Sequence, residues 1–194
     1  ELGNVIDVKE KIVVGKSTEM NFFVIADLED HVKNISGILK ALHSIKDKYP
    51  LFRLHVVGDG KDLSLLKNLT NSLEMNDIVI FLGRKVQDEV QELLILADCV
   101  IVNSNFETFS MITLESILTG CPVIATNCGG PEQFVNENNG LLIEKNNSKS
   151  LADAMVFMYL NKEKYMPDKV RESVENTHTK DYIRKELNNI YNTI

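Results

Sequence analysis

Short apolar runs alternate along this chain with segments of helical period, a rhythm that few architectures can satisfy. Residues 22–26, 52–57, 78–82, 99–102, 122–125 and 141–143 have the near-continuous hydrophobicity of strands buried on both faces. Between the first two, Ile35, Ile38, Leu39, Leu42 and Ile45 recur at the three-and-four spacing of one buried helix face, and Pro50 closes that segment. The same stripe returns at Leu66, Leu69 and Leu73, at Val90, Leu93, Leu94 and Ala97, and at Leu151, Ala154, Met155 and Met158. The pattern predicts an α/β fold with an open parallel sheet flanked by helices. Right-handed crossovers place helices on both faces of such a sheet, and ligands bind beyond the carboxyl ends of its strands. Function is therefore expected in the loops holding Gly58-Asp59-Gly60, Gly83-Arg84-Lys85 and residues 103–110, along one rim.

Composition removes several classes. A chain of 194 residues with 44% hydrophobic and 25% charged residues, 10 Gly and 4 Pro has the balance of a globular domain. No apolar run approaches the ~20 residues that cross a bilayer, and residues 1–10 are too polar for a secretory signal. A net charge of -7 with scattered Lys and Arg argues against nucleic acid as a partner. Cys99 and Cys121 lie in apolar stretches that read as strands, and with Cys128 the count is odd, which points to a reducing, cytoplasmic setting. His31, His43, His55 and His178 share no ligand spacing with one another or with the cysteines, so no metal site is expected.

The chemistry concentrates between Asn103 and Glu115. Glu107 and Glu115 stand eight positions apart, the first ahead of a helix and the second inside it. A helix beginning near Phe109 would aim its unpaired N–H groups and positive dipole end at the rim, which suits a diphosphate. Glu115 would lie about 9 Å along it by helical rise. One carboxylate could then meet a sugar beside the phosphate while the other accepts from ribose hydroxyls. Alone, two acids near a helix start are ordinary. Their surroundings are less so: Gly120-Cys-Pro-Val-Ile-Ala125 is a buried strand approached through a glycine, and Gly129-Gly130 makes a turn after it.

From Asp98 to Glu132 the chain resembles the signature region of the glycosyltransferase group 1 family, also called family 4, which has the GT-B fold. Two acids flank seven residues, then come a helix, a Gly-x-Pro-Val-Ile-Ala strand and a Gly-Gly turn. The resemblance extends back through Val57-Gly-Asp-Gly60 and Phe81-Leu-Gly83 and forward through Asn139-Gly140-Leu-Leu-Ile143, covering about residues 20 to 160. It implies a Rossmann-like, donor-binding carboxy-terminal half of a retaining enzyme that moves sugar from a nucleoside diphosphate sugar to a hydroxyl acceptor, such as a polysaccharide or glycolipid. Carried over by position, Glu107 lies beside the donor sugar, Glu115 holds the ribose, and the backbone of Phe109, Ser110, Met111 and Ile112 meets the diphosphate. Lys33 matches the family's phosphate lysine at the start of a helix, Val86 the backbone contact to the base, and Gly58 and Arg84 line the site. Lys33 would offset charge on the departing diphosphate. No cofactor is implied, the nucleoside diphosphate sugar being a substrate.

Gly3-Asn4-Val5-Ile6-Asp7 is similar to the segment by which this family enters its donor domain. The expected division is a lead or linker over residues 1–20, the binding domain over 21–178, and a terminal helix over 179–194 with Tyr182, Ile183, Leu187, Ile190 and Tyr191 on an apolar side. That helix is suited to pack on an amino-terminal, acceptor-binding domain, without which these residues are expected to bind donor but not to turn over. A full-length protein acting on a lipid-linked acceptor would work at a membrane surface.

Two departures stand out. Ala26-Asp27-Leu28 occupies the place of the family's Gly-Arg pair, and a carboxylate cannot donate to phosphate. Either Arg84, Lys85 or a residue of the amino-terminal domain compensates, or donor binding is weaker. Ser110 stands where the family has Gly, and its hydroxyl could cap or crowd the phosphate. Two other functions stay open: a GT-B sugar-nucleotide epimerase, and a non-catalytic sugar-nucleotide-binding module, which Asp27 favours. A glycosidase fits poorly, because its carboxyls face each other across a bond rather than following one another along a helix.

Overall fold

The computed structural model describes residues 19–175. The lead proposed for residues 1–20 and the terminal helix proposed for 179–194 therefore fall outside the described residues, except for Glu19 and Met20.

Six strands form one parallel sheet: β1 (Met20–Ile25), β2 (Phe52–Val57), β3 (Val79–Gly83), β4 (Cys99–Val102), β5 (Val123–Thr126) and β6 (Gly140–Ile143), in the order β3-β2-β1-β4-β5-β6. β1 and β2 pair in continuous register from Met20 opposite Phe52 to Ile25 opposite Val57. Every residue of β4 and β5 is buried, as their unbroken apolar character predicts for strands covered on both faces. The helices are α1 (Asp30–Lys33), α2 (Ile35–Ile45), α3 (Leu63–Ser72), α4 (Gln87–Leu96), α5 (Met111–Thr119), α6 (Ser148–Leu160) and α7 (Pro167–Glu175). α2 packs against α3 and α6, while α5 packs against α4 and α7, so the helices form two groups that enclose the sheet. Phe22 and Phe52 meet edge to face at 5.3 Å between ring centres, anchoring the core below the β1–β2 pair.

Strand ends differ from expectation by only one or two residues, and two further departures concern α1 and Cys121. The helical region after Glu29 is broken in two, because Asn34 adopts a left-handed conformation (φ 47°) that ends α1 and begins α2. Lys33 thus closes a short turn instead of opening a helix. Cys121 lies not in a strand but in the turn between α5 and β5, though it and Cys99 are both fully buried.

The order of the strands places the site. The order in which successive strands are added reverses between β1 and β4, so the loops leaving those two parallel strands diverge and open a crevice at their carboxyl ends. Residues 26–29 and 103–110 are those loops.

Candidate functional site

The two segments meet across the switch point and are tied there by hydrogen bonds to backbone carbonyls. Asn105 donates its N–H to Val32 O at 2.7 Å and its side-chain amide to His31 O at 2.8 Å, and Asn103 Nδ2 donates to Asn34 O at 2.9 Å. The short α1 turn is thereby fastened to the loop after β4. Lys33 Nζ reaches Glu107 Oε1 at 2.6 Å, and Ser104 Oγ donates to the same oxygen at 2.8 Å. Their side chains are 24% and 15% exposed, shielded enough that the attraction exceeds that of a surface pair. Both bonds converge on Oε1, leaving Oε2 of Glu107 without a hydrogen bond among the described residues.

The glycine turn after β5 holds this loop from behind. Glu107 N–H donates to Cys128 O at 3.3 Å and Gly130 N–H donates to Glu107 O at 2.7 Å, while Glu132 accepts from Gly129 N–H. A Cβ on Gly129, which has φ 121°, would fall 2.5 Å from Glu107 O, and one on Gly130 would fall 2.5 Å from the Phe109 carbonyl carbon. The Gly-Gly pair is thus a close backbone contact to residues 107–109. Cys128, between Glu107 and Glu132, has its thiol pushed up chiefly by burial, with those two acids adding to the effect and Thr126 and Lys145 opposing it. It is therefore a protonated, poorly nucleophilic thiol at neutral pH.

The helix after this loop starts two residues later than predicted. Ser110 has φ 65° and ψ 69°, so α5 begins at Met111 and Glu115 lies about 6 Å along it by helical rise rather than 9 Å. Ser110 Oγ pairs with Thr113 Oγ1 at 2.7 Å, turned into the helix. The backbone at Phe109, Ser110, Met111 and Ile112 forms the entrance to α5, and Ile112 borders a small space of about 20 Å3 shared with Lys33 and Glu107. Glu115 is only 6% exposed and accepts from Gln87 Nε2 at 2.9 Å.

A larger cleft of about 310 Å3 opens beside Lys33, lined by Asp27, Glu29, Val32, Asp59, Gly60 and Arg84. Arg84 Nη2 lies 2.9 Å from Asp27 Oδ1, with both side chains about three-quarters exposed (74% and 73%). The guanidinium of the β3 loop has come to the position where the β1 loop carries a carboxylate. Gly58 does not line the cleft. With φ 137° and space for a Cβ only 1.9 Å from Ala26 O, it lets the β2 loop pass against the β1 loop, and it donates its N–H to Gly83 O. The backbone of Val86 is engaged on both sides: its N–H donates to Glu89 Oε2 at 3.0 Å and its carbonyl accepts from Val90 N–H.

Sequence reading placed Asn103, Ser104 and Asn105 in the functional loop without giving them a role, and missed Asn34 and Gln87. Asn103 and Ser104 carried a usable signal, two polar residues following an all-apolar strand, and both are buried. Gln87 carried none, since its partner is 28 residues away. Among the described residues, no cluster of His, Cys, Asp and Glu has metal-binding geometry and no helix is long and apolar enough to cross a membrane.

A 3-2-1-4-5-6 parallel sheet with its cleft at the β1/β4 reversal defines a Rossmann-like domain. Residues 7–176 match the family of glycosyl transferases group 1, and the chain belongs to that family. It is 31% identical over 163 residues to N-acetyl-alpha-D-glucosaminyl L-malate synthase of Bacillus anthracis, a match spanning 82% of this chain and 42% of that enzyme. The chain thus spans less than half the length of this curated relative. The fold is also that of the C-terminal domain of a group 1 family glycosyl transferase (LpcC) from Francisella tularensis, with TM-score 0.72, 23% identity and coverage of 81% of this chain and 85% of that one. HepE from Anabaena, solved in complex with UDP, superposes with TM-score 0.76 at 20% identity, over 91% of this chain and 50% of that one.

Proposed function

We propose that this domain binds the donor of a retaining glycosyltransferase, which moves sugar from a nucleoside diphosphate sugar to a hydroxyl acceptor such as a polysaccharide or glycolipid. The observation that carries the reading is the Lys33–Glu107 pair, set at the sheet's switch point beside the entrance to α5. The cation and the first-turn backbone of Phe109 to Ile112 suit a diphosphate between them, because helix amino ends and ammonium groups both favour anions. Glu107, with Oε2 unengaged, is the acceptor for hydroxyls of the donor sugar. Glu115 accepts from the ribose, and Arg84 supplies a second cation to the cleft in place of the arginine that Asp27 displaces. The Val86 N–H is taken by Glu89, so base contact through that N–H requires the carboxylate to move aside, whereas the Val86 carbonyl keeps a second lone pair for a base donor.

As the diphosphate leaves, charge builds on its oxygens, and Lys33 stabilises that charge more than it stabilises the ground state. The acceptor side of the cleft is assigned to chain beyond this domain, and no step calls on a metal or cofactor. That HepE was solved with UDP lends support to a uridine donor.

Calorimetric titration of the 194-residue chain with UDP, GDP and their sugars tests the reading. Saturable binding of one nucleotide, weakened about tenfold or more in Lys33→Ala and in Glu115→Ala, is expected for charge-assisted contacts. Folded protein that binds none of them, or variants that bind as well as the parent, would refute it.

A further inference from the structure

Phe106 lies in the loop after β4, immediately before Glu107, and is 64% exposed. A single exposed apolar side chain is ordinary on a protein surface, so exposure alone says little. What distinguishes Phe106 is where it stands and how firmly it is held. Asn105 donates its N–H and its side-chain amide to the carbonyls of Val32 and His31, and Glu107 is bonded through both of its backbone groups to the glycine turn at Cys128 and Gly130. The side chains of Asn105 and Glu107 both turn toward α1, and the ring between them is left facing solvent. Among the described residues of the two facing segments, 26–34 and 103–110, it is the one exposed large apolar side chain, and its exposed company is polar: Asp27, His31 and Thr108. One ring rimmed by polar groups is too small to seat an acyl chain or the core of a protein interface, but it matches the C–H face of a pyranose, whose hydroxyls project around the edge.

We propose that Phe106 is an acceptor-contact residue, its ring being the platform on which a sugar ring of the acceptor stacks beside the donor sugar. This rests on the donor-site reading above, in which Glu107 takes the hydroxyls of the donor sugar. Transfer forms a bond from an acceptor oxygen to the anomeric carbon, breaks the bond from that carbon to the diphosphate, and passes the hydroxyl proton to the departing diphosphate. The acceptor must therefore lie against the donor sugar, and Phe106 is the residue next to Glu107, about 3.8 Å away between Cα atoms. Because the loop is already fastened on both sides of the ring, stacking there costs little ordering of the protein.

The test is saturation-transfer NMR on the 194-residue chain with UDP or GDP, whichever binds, in excess. The probes are methyl α-D-glucopyranoside, maltotriose and, below its micelle concentration, n-octyl β-D-glucopyranoside. The parent should transfer saturation to pyranose ring protons. Phe106→Ala should reduce that signal about threefold or more, and Phe106→Tyr, which keeps the ring face, should retain it. Phe106 is exposed, so both variants should fold, and matching thermal melts verify it. A parent that binds nucleotide but shows no saccharide contact, a signal unchanged in Phe106→Ala, or saturation confined to the octyl chain would overturn the proposal while leaving the donor-site reading intact. So would a loss of nucleotide affinity in Phe106→Ala as large as the loss of saccharide signal, which would make the ring a support for Glu107. A parent that binds no nucleotide would overturn both.

Discussion

Ser110 holds a left-handed conformation (φ 65°) at the entrance to α5, where the family has glycine. A side chain in that region costs about 1 kcal/mol, part of which the bond to Thr113 Oγ1 offsets. Ser110→Gly is therefore expected to raise Tm by about 2 °C, read by calorimetry, and a lower Tm would show that the hydroxyl pair outweighs the strain. Asp27 acts through charge. Its pair with Arg84 is too exposed to contribute much to stability, about 0–1 kcal/mol, yet it occupies a guanidinium that faces the cleft. Asp27→Ala should leave the melting temperature unchanged and tighten UDP or GDP binding a few-fold, roughly 1 kcal/mol at low ionic strength, with the gain shrinking as salt is added. Of these residues, the departure at Asp27 and the substitution at Ser110 were visible in sequence. The Arg84–Asp27 ion pair was not, because only the folded rim shows which cation of the β3 loop reaches Asp27.

At the scale of elements, the turn Gly129-Gly130 carries the loop that presents Glu107. Gly130 has a helical φ of -65°, so its backbone would accept any residue, and what forbids a side chain is the Phe109 backbone within 2.5 to 2.8 Å of a Cβ. Gly130→Ala should destabilise by about 1–3 kcal/mol as the 107–110 loop is pushed away, and should reduce nucleotide binding beyond what that loss explains. Chemical denaturation and titration on one sample separate the two effects, and normal affinity would show that the turn does not set the site. The six strands were legible as short apolar runs, most plainly β4 and β5, which are buried throughout, although the edge strands β3 and β6 are only partly buried. Helix ends were less so. Periodicity reads Ile35 to Ile45 correctly, but nothing in it marks Asn34 as the left-handed break that puts Lys33 on a separate turn. In sequence Gly129-Gly130 reads as a turn after a buried strand. The fold shows a close approach to the protein's own backbone.

Across the whole molecule, stability and binding divide along the sheet. The body of the sheet holds groups unrelated to the cleft, among them His55 in β2, which stacks on Phe23 at 4.4 Å and lies 3.1 Å from Asn21 Oδ1. Burial holds its pKa below the usual value, Arg53 adds to that, and Glu19 opposes both. The fold thus favours the neutral ring: its contribution is complete above the unfolded pKa, near 6.5, and is lost as pH falls below it through the folded pKa. Tm should decline as pH drops from 7 towards 5, and His55→Gln should flatten that part of the curve; an equal slope in the variant would remove His55 as its source. The strand order was not legible, since runs of similar apolar strands do not reveal which are neighbours, and it is this order that brings the β1 and β4 loops together. The central claim, that these loops form a nucleoside diphosphate site, is tested most directly by a crystal structure of the chain with UDP or GDP, whichever binds. The account predicts the diphosphate between Lys33 Nζ and the backbone of residues 109–112, with the ribose hydroxyls on Glu115. A nucleotide seated away from the β1/β4 switch point, or one that leaves Lys33 and Glu115 uncontacted, would contradict it.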